Sequence, residues 1–153
     1  MKKFLIVFAT LLIGLSSFAF SPREIDEKLI HTFNTNFPNA VSVSWSELPE
    51  SYVVNFVENG IRSRVIYQKD GSFVHFTRYY QEQNLPFFVR FKVTKLYPNK
   101  KIFGVVEIST VSEQENILLV EYYVKMEDEK SWLTVRVDSD GYLKVVDKYR
   151  KAL

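Results

Sequence analysis

The side chains of this 153-residue chain that could carry chemistry are few and scattered. His31 and His75 fall on different elements, and neither has an acidic or histidine ligand at metal-binding spacing. Cysteine is absent, which removes thiolate metal sites and disulfides together. A nucleophilic serine needs a histidine and an orienting partner beside it, and no G-x-S-x-G elbow is present. Glu113, Glu115, Glu127 and Asp128 sit at polar hairpin tips, where an acid–base pair would form only by accident of folding. Asp138-Ser139-Asp140-Gly141 opens like a calcium loop. It lacks the third oxygen ligand before the glycine and the closing glutamate. No catalytic set, cofactor site or metal site is expected, and the chain reads as a non-enzyme.

Two groups of residues suit recognition instead. Arg62 and Arg64 share one face of a strand, with Gln68 in register. A guanidinium fork there could hold carboxylates, or the pair could simply keep a sheet surface soluble. Phe87, Phe88 and Phe91 cluster on one side of a helix beside Lys92 and Lys95, opposite Val89, Val93, Leu96 and Tyr97. Exposed, those rings would form a partner-binding or dimer patch. The alternative is that another part of the chain, such as the loop around Tyr79 to Gln83, covers them.

The elements that must position these residues follow from composition and periodicity. Met1-Lys2-Lys3, an apolar run from Phe4 to Leu15 and Ser17-Phe18-Ala19 have the order of a cleavable secretory signal spanning residues 1–19. The apolar run is too short for a spanning helix. Removing 19 of the 153 residues leaves 134, and the loss of Lys2 and Lys3 takes the formal charge from +2 to zero. A neutral mature chain is not expected to bind nucleic acid. No stable membrane insertion is expected after cleavage, and the location expected is the periplasm or the medium.

The mature segment, 20–153, repeats itself. Phe37-Pro38-Asn39 recurs as Tyr97-Pro98-Asn99, Tyr52-Val53-Val54 as Tyr122-Tyr123-Val124, and Asp70-Gly71 as Asp140-Gly141. The spacing between copies lengthens by ten residues in a hairpin tipped at about Ser112 to Asn116. Ser21-Pro22-Arg23-Glu24 reads as a helix start with a capping box. Ile25, Leu29, Ile30, Phe33 and Phe37 give that helix one apolar face, and Leu85 to Tyr97 forms a second helix. After each helix the apolar period shifts to two: Val41 to Ser46, Tyr52 to Phe56, Ile61 to Tyr67 and Phe73 to Tyr79 in the first copy. Ile102 to Ser109, Ile117 to Met126, Trp132 to Val137 and Tyr142 to Val146 do the same in the second. The fold class expected is α+β, two-layer, a duplicated unit of one helix followed by about four antiparallel strands, the repeats covering about 21–82 and 83–153.

This order of motifs resembles the PepSY-like, β-lactamase-inhibitor-like domain of bacterial envelope proteins. Phe37-Pro38-Asn39-Ala40, Trp45, Tyr52 to Phe56 and Lys69-Asp70-Gly71 carry the resemblance in the first copy. Leu85-Pro86, Val89, Tyr97-Pro98-Asn99, Tyr122 to Val124 and Asp138 to Gly141 carry it in the second. The resemblance implies an exported, non-catalytic protein-binding module. It also implies a role restraining an envelope or secreted hydrolase, since such domains include an inhibitor that grips its enzyme with an open sheet face. A second expectation is a carrier holding a small apolar or peptide ligand in an enclosed cavity. The ten-residue insertion and the aromatic second helix depart from the pattern.

Overall fold

The computed structural model describes residues 25–112 and 114–152. The expected signal and the Ser21–Glu24 helix start lie outside them. Helix α1 (Glu27–Asn36) is capped instead by Asp26, whose carboxylate accepts the Lys28 backbone N–H at 2.8 Å. Four strands follow: β1 (Val41–Glu47), β2 (Ser51–Glu58), β3 (Ile61–Gln68) and β4 (Phe73–Tyr80). A short 3-10 turn, Glu82–Asn84, leads into α2 (Phe87–Leu96) and then β5 (Lys101–Val111), β6 (Leu118–Glu127), β7 (Ser131–Asp138) and β8 (Leu143–Arg150). Tight turns join most strands. Asn59-Gly60 closes the β2–β3 hairpin with both residues at positive φ, the backbone that favours Asn-Gly there.

The eight strands make a single antiparallel sheet in strict chain order, β1 through β8. This corrects the expected fold class. The molecule is not a two-layer duplicated helix-and-sheet unit but one open sheet, predominantly strand, carrying two ten-residue helices. The reason is the pairing of β4 with β5, which runs in register from His75–Thr110 to Tyr80–Val105. Two separate four-stranded sheets would each have left an unpaired edge there, a row of unsatisfied backbone groups.

Both helices cover the same face. Leu29 and Phe33 of α1 pack on Val54, Phe56, Val65 and Tyr67. Val89 and Val93 of α2 pack on a larger cluster that includes Val105, Val124, Met126 and Val135. That second cluster also takes in Ile61 and Tyr80 from β3 and β4, so the cores meet across the β4–β5 seam. Strand alternation puts the other side chains on the opposite face, which no described helix covers. In β3, for example, Ile61, Ser63, Val65 and Tyr67 are buried while Arg62, Arg64 and Gln68 are exposed.

Candidate functional site

The helix-free face gathers the recognition chemistry. Arg62 and Arg64 both project from it. The Arg62 guanidinium lies 5.9 Å from the Tyr79 ring centroid, on a residue directly cross-strand from it. Arg64 Nε donates to Asn55 Oδ1 at 2.8 Å.

Further along the sheet, Lys125 stands among three aromatic rings. Its ammonium is 4.6 Å from the Trp132 centroid, 5.8 Å from Phe103 and 5.7 Å from Tyr149. Registry explains the convergence. Trp132 opposes Tyr149, and Lys125 opposes Thr134 on the neighbouring strand. Phe103 falls in an irregularity of β5, where Ile102 pairs with Met126 and Gly104 with Lys125. The extra residue turns Phe103 out to this face, edge-on to Trp132 at 4.9 Å.

The charges on this face are unevenly satisfied. Glu121 pairs with Arg136 at 3.1 Å and accepts the Tyr123 hydroxyl at 2.9 Å. Burial pushes the Tyr123 phenol above its usual range. Glu127 pairs with Lys151 at 2.5 Å, and Lys151 also lies over Trp132. Arg62, Arg64 and Lys125 have no carboxylate partner among the described residues. A cleft of about 570 Å³ runs between Arg62 and Lys125 past Tyr79, Phe103 and Tyr123, and no acidic residue lines it. An aromatic cleft with two unpaired cations and no acid suits a partner that brings carboxylates next to apolar groups.

On the covered side, the three phenylalanines of α2 are exposed: Phe87 by 71%, Phe91 by 56% and Phe88 by 45%. Neither the other half of the chain nor the Tyr79–Gln83 loop covers them. Phe87 and Phe91 stack at 6.0 Å, and Phe88 meets Tyr122 edge-on at 6.1 Å. Val89 and Val93 face the sheet as expected, whereas Leu96 does not and is exposed. The arginine pair and the phenylalanine trio therefore occupy opposite sides of the molecule.

Asp138 spends its side chain on the β7–β8 turn, accepting the Tyr142 N–H at 2.7 Å. The described residues hold no group of three or more metal-ligating side chains. His31 is on α1 and His75 on β4. Four clefts among the described residues open to solvent, whereas a carrier would hold its ligand in an enclosed cavity.

Sequence reasoning missed two groups. The Phe103–Lys125–Trp132–Tyr149 cluster depends on cross-strand register and a bulge, although the parity of Tyr123, Lys125 and Glu127 in β6 was a usable signal. The other is Glu107, 9% exposed beneath the helix layer. Its carboxylate accepts the Tyr80 hydroxyl at 2.6 Å and pairs with Arg78 at 3.3 Å. Burial first, then the bond to Glu107, pushes the Tyr80 phenol far above its usual range. A charged residue at the inward parity of Val105, Glu107 and Ser109 was the sign to read.

No family model matches the chain, and no curated protein matches it. Solved structures do. A BLIP-like protein from Bacteroides fragilis is 16% identical, covering 86% of this chain and 89% of its own with a TM-score of 0.64. A DUF2874 family protein from Bacteroides ovatus is 16% identical over 84% of this chain and 89% of its own, at a TM-score of 0.60. A Bacteroides eggerthii protein, provisionally described as periplasmic, is 16% identical over 84% of this chain and 90% of its own, at 0.59. The chain therefore has a BLIP-like fold. The likeness does not extend to PepSY domains specifically.

Proposed function

We propose that this chain is an exported, non-catalytic protein-binding module that grips its partner with the helix-free face of the sheet. One observation carries the reading: that face combines aromatic rings with cations that have no carboxylate partner, in a cleft lined by no acid. Rigid rings immobilise at low entropic cost, and cations already framed by them need little reorganisation on docking. The partner would press an acidic, partly apolar surface into the cleft between Arg62 and Lys125. Export rests on the signal pattern of residues 1–19, and the periplasmic description of one structural neighbour is in keeping with it. Inhibition of an envelope or secreted hydrolase is the finer form of the reading, supported by the BLIP-like fold.

The test is site-directed photocrosslinking in an envelope extract. A crosslinker at Tyr123, on the open face, should give a discrete protein adduct, and one at Lys28, on the solvent side of α1, should not. Lys125→Glu should abolish the Tyr123 adduct while leaving the circular dichroism spectrum unchanged. Equal labelling from both positions, or an adduct indifferent to Lys125→Glu, would sink the reading. If the captured protein is a hydrolase, its activity on addition of this chain decides the inhibitory form.

A further inference from the structure

Helix α2 carries a feature that the open-face reading does not use. At 100° per residue, Phe91 points almost directly away from the buried Val89 and Val93, with Phe87, Lys95 and Phe88 beside it. Arg90 and Lys92 flank this ridge on its two sides. From Asn84 to Val106 the chain has five cations and no carboxylate, and only Lys100 among the five is paired with an acid, Asp128, among the described residues. The exposed stripe is therefore phenyl rings at the crest and amines or guanidinium at the margins, with Lys95 lying 5.8 Å from the Phe91 ring. Lys92 also anchors the ridge by donating to the Gly141 carbonyl.

We infer that α2 docks on the surface of an anionic lipid bilayer. The rings have no hydrogen-bonding atom and project as a convex ridge, so they need a medium that deforms around them. Acyl chains do that, while Lys95 and Arg90 reach anionic headgroups. A second copy of the chain is disfavoured, because a self-complementary contact would gather Arg90, Lys92 and Lys95 from both helices at one seam, where α2 has no carboxylate to answer them. No described helix is long and apolar enough to cross a membrane, so the contact is superficial. Docking by α2 turns the helix-free face away from the bilayer and leaves it open to a partner.

The probe is sedimentation of the exported, processed chain with vesicles of phosphatidylglycerol, and separately of phosphatidylcholine. Binding should favour phosphatidylglycerol and weaken in about 0.5 M salt. The double variant Phe87→Ser, Phe91→Ser should lower partitioning by about tenfold or more. Lys95→Glu, a surface change that leaves packing intact, should weaken binding to phosphatidylglycerol only, and it decides the matter if the double variant fails to fold. Wild-type binding no stronger to phosphatidylglycerol than to phosphatidylcholine overturns the inference, as does full binding by Lys95→Glu. A crosslinker at Phe91 that captures an acidic protein, with no vesicle binding, overturns it in favour of a protein contact. None of these results touches the crosslinks from Tyr123, so the two readings fail independently.

Discussion

Phe33 holds the smaller core together through its ring faces. It is 1% exposed and lies 5.1 to 5.4 Å from the rings of Phe37, Trp45 and Phe56. Phe33→Ala should cost about 3–5 kcal/mol by urea titration, because three rings would face the cavity left behind. Tyr80 makes a different contribution. Tyr80→Phe removes a donor to the buried Glu107 carboxylate and should cost about 1.5–3 kcal/mol at neutral pH. The Tyr80 phenol is raised in the folded state, so its contribution is present below its unfolded pKa of about 10 and fades as pH climbs above that. The variant should therefore show a shallower alkaline loss of stability. Asp128 works in the opposite direction. The bond from Lys100 at 2.6 Å, then the Lys130 and Ser131 N–H groups, hold its carboxyl below the usual range. Its contribution is present above the unfolded pKa of about 4 and is lost as pH falls toward the folded value. Asp128→Asn should narrow the gap between urea midpoints measured at about pH 7 and about pH 3.

Among the elements, α2 is tied near its middle to the β7–β8 turn by chemistry that a single glycine permits. Gly141 has φ +80, in the left-handed region, and its carbonyl accepts from Lys92. A Cβ there would lie 3.4 Å from the Lys92 ammonium. Gly141→Ala should cost about 1–2 kcal/mol, mostly from backbone strain, and a thermal melt would show it. The strands themselves were legible: the alternation of Val41 to Ser46, and the Asp70-Gly71 and Asp140-Gly141 turns, mark them out in the chain. Side-chain parity also placed Arg62 and Arg64 together. The α1 cap at Asp26 was missed, because Ser21-Pro22 offered a stronger local pattern. The union of β4 with β5 was illegible for a physical reason. Ladder hydrogen bonds are made by backbone groups common to all residues, and the intervening α2 hides the adjacency. The Phe103–Trp132–Tyr149 gathering depends on that same register information, plus one bulge.

At the scale of the whole molecule, the seam between β4 and β5 decides whether unfolding occurs once or twice. The larger core reaches across it through Ile61 and Tyr80, so the two halves share buried surface as well as backbone bonds. A single transition is expected. Trp45 sits in the smaller core and Trp132 on the far half of the sheet, so each can report on its own side. In each of Trp45→Phe and Trp132→Phe, the fluorescence midpoint in urea of the remaining tryptophan should coincide with that variant's own circular dichroism midpoint within about 0.3 M.

The strict chain order of the strands has a consequence for how the molecule comes into being. Among the described residues every ladder joins sequence neighbours, and the one long interval between strands, from β4 to β5, is spanned by the turn and helix that lie between them. A chain emerging from a channel amino end first never has to wait for a distant strand before adding the next. Each new hairpin finds its template already in place, and loop-closure entropy is met in small instalments. Such a molecule can zip shut from β1 to β8 at the pace of its own synthesis. The last strand to arrive, β8, bears Lys144, Asp147, Lys148 and Arg150, charges that discourage a second chain from continuing the sheet.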